Sequence, residues 1–104
     1  MPQPAPETPK RRILGFCWFR RETYDQARAV MSDPDVLFED FDTWLAAARK
    51  IEREVSASGD KVVRIRFDLP GFLVWCASRG RMPDEQARAG WAAEEARKRF
   101  GTRF

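Results

Sequence analysis

The chain has 104 residues, a length that suits one small domain with one hydrophobic core. Its net charge of +3 excludes a strongly acidic mimic of DNA and leaves contact with nucleic acid open. The sequence has no histidine, which removes the commonest general base and the commonest transition-metal ligand. Since there is also no apolar run of about 18 residues, we predict no membrane-spanning helix and no contact with a membrane.

The first third of the chain predicts a tail, a strand and a short helix. Residues 1–12 contain four prolines and are expected to form a flexible tail. Residues 13–19 are apolar on both alternations, which predicts a strand covered on both faces, with Gly15 admitting a close backbone contact. Thr23, followed three residues later by Gln26, has the spacing of a capping box at the start of a helix.

The middle of the chain predicts a long amphipathic helix and a second strand. Residues 39–57 place six apolar side chains on one helical stripe. These are Phe41, Trp44, Leu45, Ala48, Ile51 and Val55. Residues 61–67 alternate, with Ile65 facing the core and Arg64 and Arg66 facing the other way. Asp68 is well placed to cap the helix that follows.

The last part of the chain predicts two helices, over 71–79 and 84–100, with 101–104 frayed. In the second helix, Ala89, Ala93, Ala96 and Phe100 are expected along one packing face. The whole order indicates a single α/β domain over 13–100, with the topology β-α-α-β-α-α. The crossover between the strands favours a parallel, two-stranded sheet covered by helices.

A sheet of two strands is marginal by itself. Either helices cover both of its faces, or one of its edges recruits another chain. This expectation bears directly on function, because an open strand edge is a surface for pairing.

No catalytic, cofactor or metal motif stands out. Cys17 and Cys76 have neither a metal-like spacing nor a histidine partner, so we expect buried, reduced thiols and a cytoplasmic protein. The acidic residues before the long helix lack the spacing of a calcium loop. They are expected to complement the dipole of the helix N-terminus instead.

Arginines suggest the one candidate binding surface that the sequence offers. Arg64 and Arg66 share one strand face, and other cations and a tryptophan are expected nearby. The remaining candidates are Trp18, Arg20, Arg79 and Arg81. Such a set suits a phosphate or a carboxylate-rich partner, and the aromatics would suit stacking on single-stranded nucleic acid. Ion pairing with nearby Asp and Glu, and packing of the rings in the core, explain the same residues without a ligand.

Four segments resemble a group of small uncharacterised bacterial proteins. The segments are Tyr24-Asp25, Asp42 to Leu45, Phe72 to Gly80 and Ala87 to Glu94. The resemblance spans residues 13–96, and its most specific element is Trp-Cys-x-x-Arg-Gly at 75–80. It implies no activity and no site. Frequent Ala and Arg are typical of a GC-rich bacterium or its phage.

These observations favour a small, non-enzymatic bacterial or phage-encoded protein that binds another protein. A homodimer is one form of this interaction, and an adaptor or an inhibitor of a larger machine, such as a defence nuclease, is another. The alternative is a nucleic-acid-binding protein that uses the arginines on the second strand and the helix after it. An enzyme without a recognisable motif is the third hypothesis.

Overall fold

The computed structural model describes residues 12–100, so the predictions for the tail and for 101–104 lie outside the described residues, apart from Arg12. Two strands, β1 (Ile13–Trp18) and β2 (Lys61–Arg66), form the sheet. Four helices accompany them: α1 (Tyr24–Ala29), α2 (Phe41–Ala57), α3 (Leu69–Ser78) and α4 (Glu85–Phe100). A short 3-10 turn, Pro34–Val36, precedes α2. The predicted β-α-α-β-α-α order is confirmed.

The two strands are parallel, as the crossover between them predicts. Gly15 is opposite Val63, and Cys17 is opposite Ile65. The pairing continues past the strand ends, because Lys61 N–H donates to Arg12 O at 2.8 Å and Phe67 N–H donates to Trp18 O at 2.9 Å.

Helix α4 covers the core face of the sheet. Any Cβ added at Gly15 would collide with the carbonyl oxygen of Ala92 and with the Cβ of Ala96, so the close approach predicted at Gly15 is confirmed. Ile65 on the same face is fully buried. Glycine is therefore what allows α4 to lie directly on β1.

Helix α2 lies against the other face of the sheet. The Trp44 ring meets the Trp18 ring edge-on, with centroids 5.2 Å apart, and Glu52 bonds Arg64. Side chains at the carboxyl ends of the strands join the two layers, because Phe19 contacts both Trp44 and Phe67 at centroid distances of 5.1 and 5.0 Å. The edge-on pairs that Trp44 makes with Trp18 and Phe19 contribute roughly 0.5–1.5 kcal/mol each beyond burial of their area.

Three predictions about local structure are wrong. The Thr23 side chain makes no capping hydrogen bond at α1, so the capping box does not form. Ile51, expected on the packing stripe of α2, is 49% exposed. In α4, Ala96 is buried as predicted, but Ala89 and Phe100 of the same predicted face are exposed. The buried residues of α4 are Ala87, Arg88, Trp91, Ala92 and Ala96.

Candidate functional site

Five of the six residues predicted from the sequence line two neighbouring hollows, and the sixth, Arg81, lies outside both. Trp18, Arg20, Arg64 and Arg66 together line a shallow hollow of about 280 Å³. Arg66 also lines a neighbouring hollow of about 370 Å³. The latter brings in Arg79. Arg81 lines neither hollow, and its guanidinium lies 5.6 Å from the ring centroid of Trp75.

The charge of Arg64 is neutralised by an ion pair within the protein. Its Nε and Nη2 each lie 2.8 Å from a different carboxylate oxygen of Glu52, which is a bidentate ion pair between β2 and α2. The guanidinium also lies 4.0 Å from the ring centroid of Trp18. The hydrogen bond from Arg64 lowers the pKa of Glu52, so this carboxylate stays ionised at neutral pH.

Arg79 is held in a second cluster, between α3 and α4. Its Nη2 lies 2.9 Å from both carboxylate oxygens of Glu94, and its guanidinium lies 4.5 Å from the ring centroid of Trp75. The indole N–H of Trp75 donates to Glu94 Oε2 at 2.9 Å, and this bond, followed by the charge of Arg79, lowers the pKa of Glu94. The Trp-Cys-x-x-Arg-Gly element therefore places Trp75 and Arg79 one turn apart for a structural contact.

Three of the five arginines keep most of their charge available. Arg66 and Arg81 are exposed, and neither has an ion-pair partner among residues 12–100. The nearest carboxylate oxygen to Arg20 belongs to Glu22, at 3.9 Å. The predicted surface is thus much less positive than its count of arginines indicates.

A second surface, whose residues the sequence did not predict, runs along the open side of β1. Two adjoining hollows of about 340 and 520 Å³ share Gly15, Phe16 and Ala89, and we call them together the β1-edge groove. The strand forms its floor, and α2 and α4 form its walls. The remaining lining residues are Arg12, Ile13, Leu14, Cys17, Trp18, Phe38, Trp44, Ala47, Ala48, Ile51, Glu85, Arg88, Ala93 and Arg97.

The floor of the β1-edge groove presents unpaired backbone groups. In a parallel ladder, the N–H and C=O of one residue point to the same side of the strand, and successive residues alternate. Because Arg12 O and Trp18 O accept from β2, the residues Ile13, Gly15 and Cys17 point their backbone groups the other way. No third strand pairs there within residues 12–100. Every residue of β1 is accordingly only half-buried.

The walls of the β1-edge groove are mostly apolar, and its two ends carry opposite charges. Phe38 and Ile51 are 44% and 49% exposed on one wall. On the α4 wall, Glu85 lines one end and Arg97 the other, and within the described chain neither has an ion-pair partner.

The pattern of residues in α4 predicts a solvent-facing stripe on this wall, but its alanines are equally compatible with a packing face. Glu85, Ala89, Ala93 and Arg97 recur every four residues, which places them on one stripe of a helix. The spacing of Ala89 and Ala93 alone predicts a packing face. The charged residue at each end of the stripe, however, is typical of a stripe that faces solvent.

Cys17 lies at the edge of the groove and Cys76 lies in the core. Burial raises the pKa of both thiols, which keeps them protonated. Among residues 12–100, no group of three or more Cys, Asp and Glu side chains is arranged to hold a metal ion. Nor does that part of the chain contain a helix with the length and apolar character needed to cross a membrane.

Comparison with known proteins assigns this chain to no family. The chain matches no protein-family model, no curated protein and no solved structure.

Proposed function

We propose that this chain is a small non-enzymatic protein that acts by binding another protein, and that the β1-edge groove is the docking site. The observation that supports this function best is the open edge of β1, whose outward N–H and C=O groups form the floor of an apolar groove. An extended polypeptide supplies alternating donors and acceptors that satisfy such an edge, and its side chains fill the walls.

The chemistry of the groove favours polypeptide over nucleic acid. A nucleic-acid backbone offers phosphate acceptors, whereas the groove presents both donors and acceptors between apolar walls. Burial of Phe38 and Ile51 would add a hydrophobic contribution of about 25 cal/mol for each Å² removed from water. On the arginine surface, by contrast, Arg64 and Arg79 already have carboxylate partners.

Within this proposal the bound protein is either a second copy of this chain or the target of an adaptor or inhibitor. A bacterial or phage origin and a cytoplasmic location remain predictions from composition and from the resemblance. A defence nuclease as the target remains a prediction of the same kind. The nucleic-acid alternative rests on Arg20, Arg66 and Arg81, the three cations of the arginine surface whose charge is available.

Site-specific photo-crosslinking tests the docking site. A benzophenone amino acid would replace Phe38, an aromatic residue on the groove wall, and the matched control would replace Leu73, a similarly exposed apolar residue on α3. We expect crosslinks to polypeptide at position 38 and not at 73, with mass spectrometry identifying the polypeptide. The added substitution Ala93→Arg should abolish the crosslink, because a long side chain then occupies the groove.

Absence of polypeptide crosslinks at position 38 would contradict the proposal, as would crosslinks that persist with Ala93→Arg. Crosslinks to nucleic acid at position 38 would also contradict it.

A further inference from the structure

We infer that the occupant of the β1-edge groove is a second copy of this chain, bound about a two-fold axis with the two β1 strands antiparallel. This inference rests on the proposed function, in which the groove docks a polypeptide. Its result is one continuous sheet of four strands in the order β2-β1-β1-β2, which removes the open edge of β1.

The backbone of β1 is complementary to itself. A two-fold axis through Gly15 sets Gly15 opposite Gly15 of the second copy, and Ile13 opposite Cys17. These residues carry the outward-pointing N–H and C=O groups. Each opposed pair of such residues exchanges two hydrogen bonds in an antiparallel ladder. Every outward backbone group of the strand is then satisfied.

The α4 wall is complementary to itself in charge and in shape. Antiparallel pairing of this helix with its copy sets Glu85 opposite Arg97 at both ends, and Ala89 opposite Ala93 in the middle. Both charged residues are exposed and lack an ion-pair partner within the described part of the chain. The alanines permit a close approach of the two helices, since they add only a methyl group each.

One axis serves both elements because the middle of α4 lies over the middle of β1, with Ala92 against Gly15. Glu85 shares a hollow with Trp18 at the end of the strand, and Arg97 shares a hollow with Ile13 at its start. The residues common to both hollows, Gly15, Phe16 and Ala89, lie at the middle. The axis that centres the strand pairing on Gly15 thus also passes near the middle of the helical stripe.

Other occupants fit this surface less well. An unrelated strand would satisfy the backbone groups of β1. Nothing in this chain would then supply the opposite charges that pair with Glu85 and Arg97 at the two ends of the groove. The N-terminal residues 1–11 are a poor strand for this edge, because four of them are prolines without an N–H.

Charge reversal followed by mixing tests the second copy. Light scattering after size exclusion should give the wild-type chain a mass of twice 12.1 kDa. Glu85→Arg or Arg97→Glu alone places like charges opposite each other at both ends, and each should weaken self-association at least tenfold. An equimolar mixture of the two variants restores both ion pairs, so its dimers should regain wild-type affinity. The double variant should regain it as well.

Circular dichroism and the thermal midpoint would show that each variant remains folded when diluted to the monomer. A wild-type chain that stays monomeric at about 100 μM would overturn the inference. The inference would also be overturned if both charge-reversal variants dimerised as tightly as the wild-type chain. The same holds if an equimolar mixture of the two variants did not regain the lost affinity. Crosslinking from position 38 separates the two proposals. A crosslink to this same chain supports both, a crosslink to a different polypeptide overturns only the second copy, and no polypeptide crosslink overturns both.

Discussion

Arg88 Nη1 donates to Asp33 Oδ1 at 3.0 Å, which joins α4 to the segment that follows α1. Arg88 is the one charged residue buried among residues 12–100. The other carboxylate oxygen of Asp33 accepts from the backbone N–H of Glu85 at 2.8 Å. A single aspartate therefore both neutralises a buried cation and satisfies the N-terminus of α4.

Removing Asp33 should be costly for stability. In Asp33→Ala, the buried guanidinium of Arg88 loses its counter-ion, and we expect the free energy of unfolding to fall by about 3–5 kcal/mol. Urea unfolding followed by circular dichroism measures this change. Asp35→Ala is the matched control, because Asp35 is exposed and has no ion-pair partner in the described chain, and it should change stability by less than about 0.5 kcal/mol.

The double variant Asp33→Ala, Arg88→Met should be more stable than Asp33→Ala alone. Methionine fills the same space without a charge that needs a partner. If the double variant is as unstable as the sum of its single variants, the two residues are not energetically coupled.

Acid should destabilise the fold partly through Asp33. Burial acts to raise the pKa of this carboxyl, but the hydrogen bonds from Arg88 and from the Glu85 N–H, with the charge of Arg88, lower it overall. A lowered pKa in the folded state means that unfolded Asp33 binds a proton more readily. Its contribution is therefore complete above the unfolded pKa of about 3.9, and it is lost as the pH falls toward the folded pKa.

Urea midpoints measured between about pH 6 and pH 2.5 test this dependence. The decline for Asp33→Asn should be shallower than for the wild-type chain. Glu52 and Glu94 also have lowered pKa values and should account for part of the decline that remains. Parallel curves for wild type and Asp33→Asn would contradict the assignment.

Gly15→Ala should destabilise the packing of α4 on β1. The added methyl group meets the backbone carbonyl of Ala92, which cannot rotate away, so we expect a loss of about 1–3 kcal/mol. Gly90→Ala is the control for adding a methyl group to a partly buried glycine. There the added Cβ would lie 3.3 Å from the ends of the Arg81 and Trp75 side chains and would meet no backbone atom outside its own helix, so thermal unfolding should show a smaller loss.

Nucleic-acid binding should depend only weakly on salt. Each phosphate contact to a single strand contributes about 0.7 to the slope of log K against log salt concentration. With Arg64 and Arg79 already paired, the other three arginines of the surface leave a slope of about 2. Fluorescence anisotropy with a labelled oligonucleotide measures it. A slope of 3 or more that falls in Arg64→Ala with Arg66→Ala would favour the nucleic-acid function instead.

The order of elements was predictable because local signals mark it. Residues 61–67 alternate in polarity, Asp68 accepts the Gly71 N–H as expected of a helix cap, and Gly59 adopts a φ of 100° after α2. Each of these features depends on neighbours within a few positions of the chain. That range is also why the predicted element boundaries needed only small shifts.

The candidate site was less predictable because it depends on distant partners. The sequence alone does not indicate that Arg64 would find Glu52 across the crossover, or that Asp33 would meet Arg88, 55 positions away. Alanine adds a second difficulty. It is compatible with a buried or an exposed stripe, so the orientation of α4 followed from Gly15 and Trp91 and could not be read from Ala89 and Ala93.

Because α4 covers β1, the first strand of the sheet cannot bury its core face until the last helix has been synthesised. During synthesis, β1 leaves the ribosome long before residue 100, and its core face has no cover until α4 has emerged. Folding of this domain should consequently follow translation of the whole 12–100 segment. Any nascent chain arrested before α4 would present bare apolar strands to chaperones and proteases.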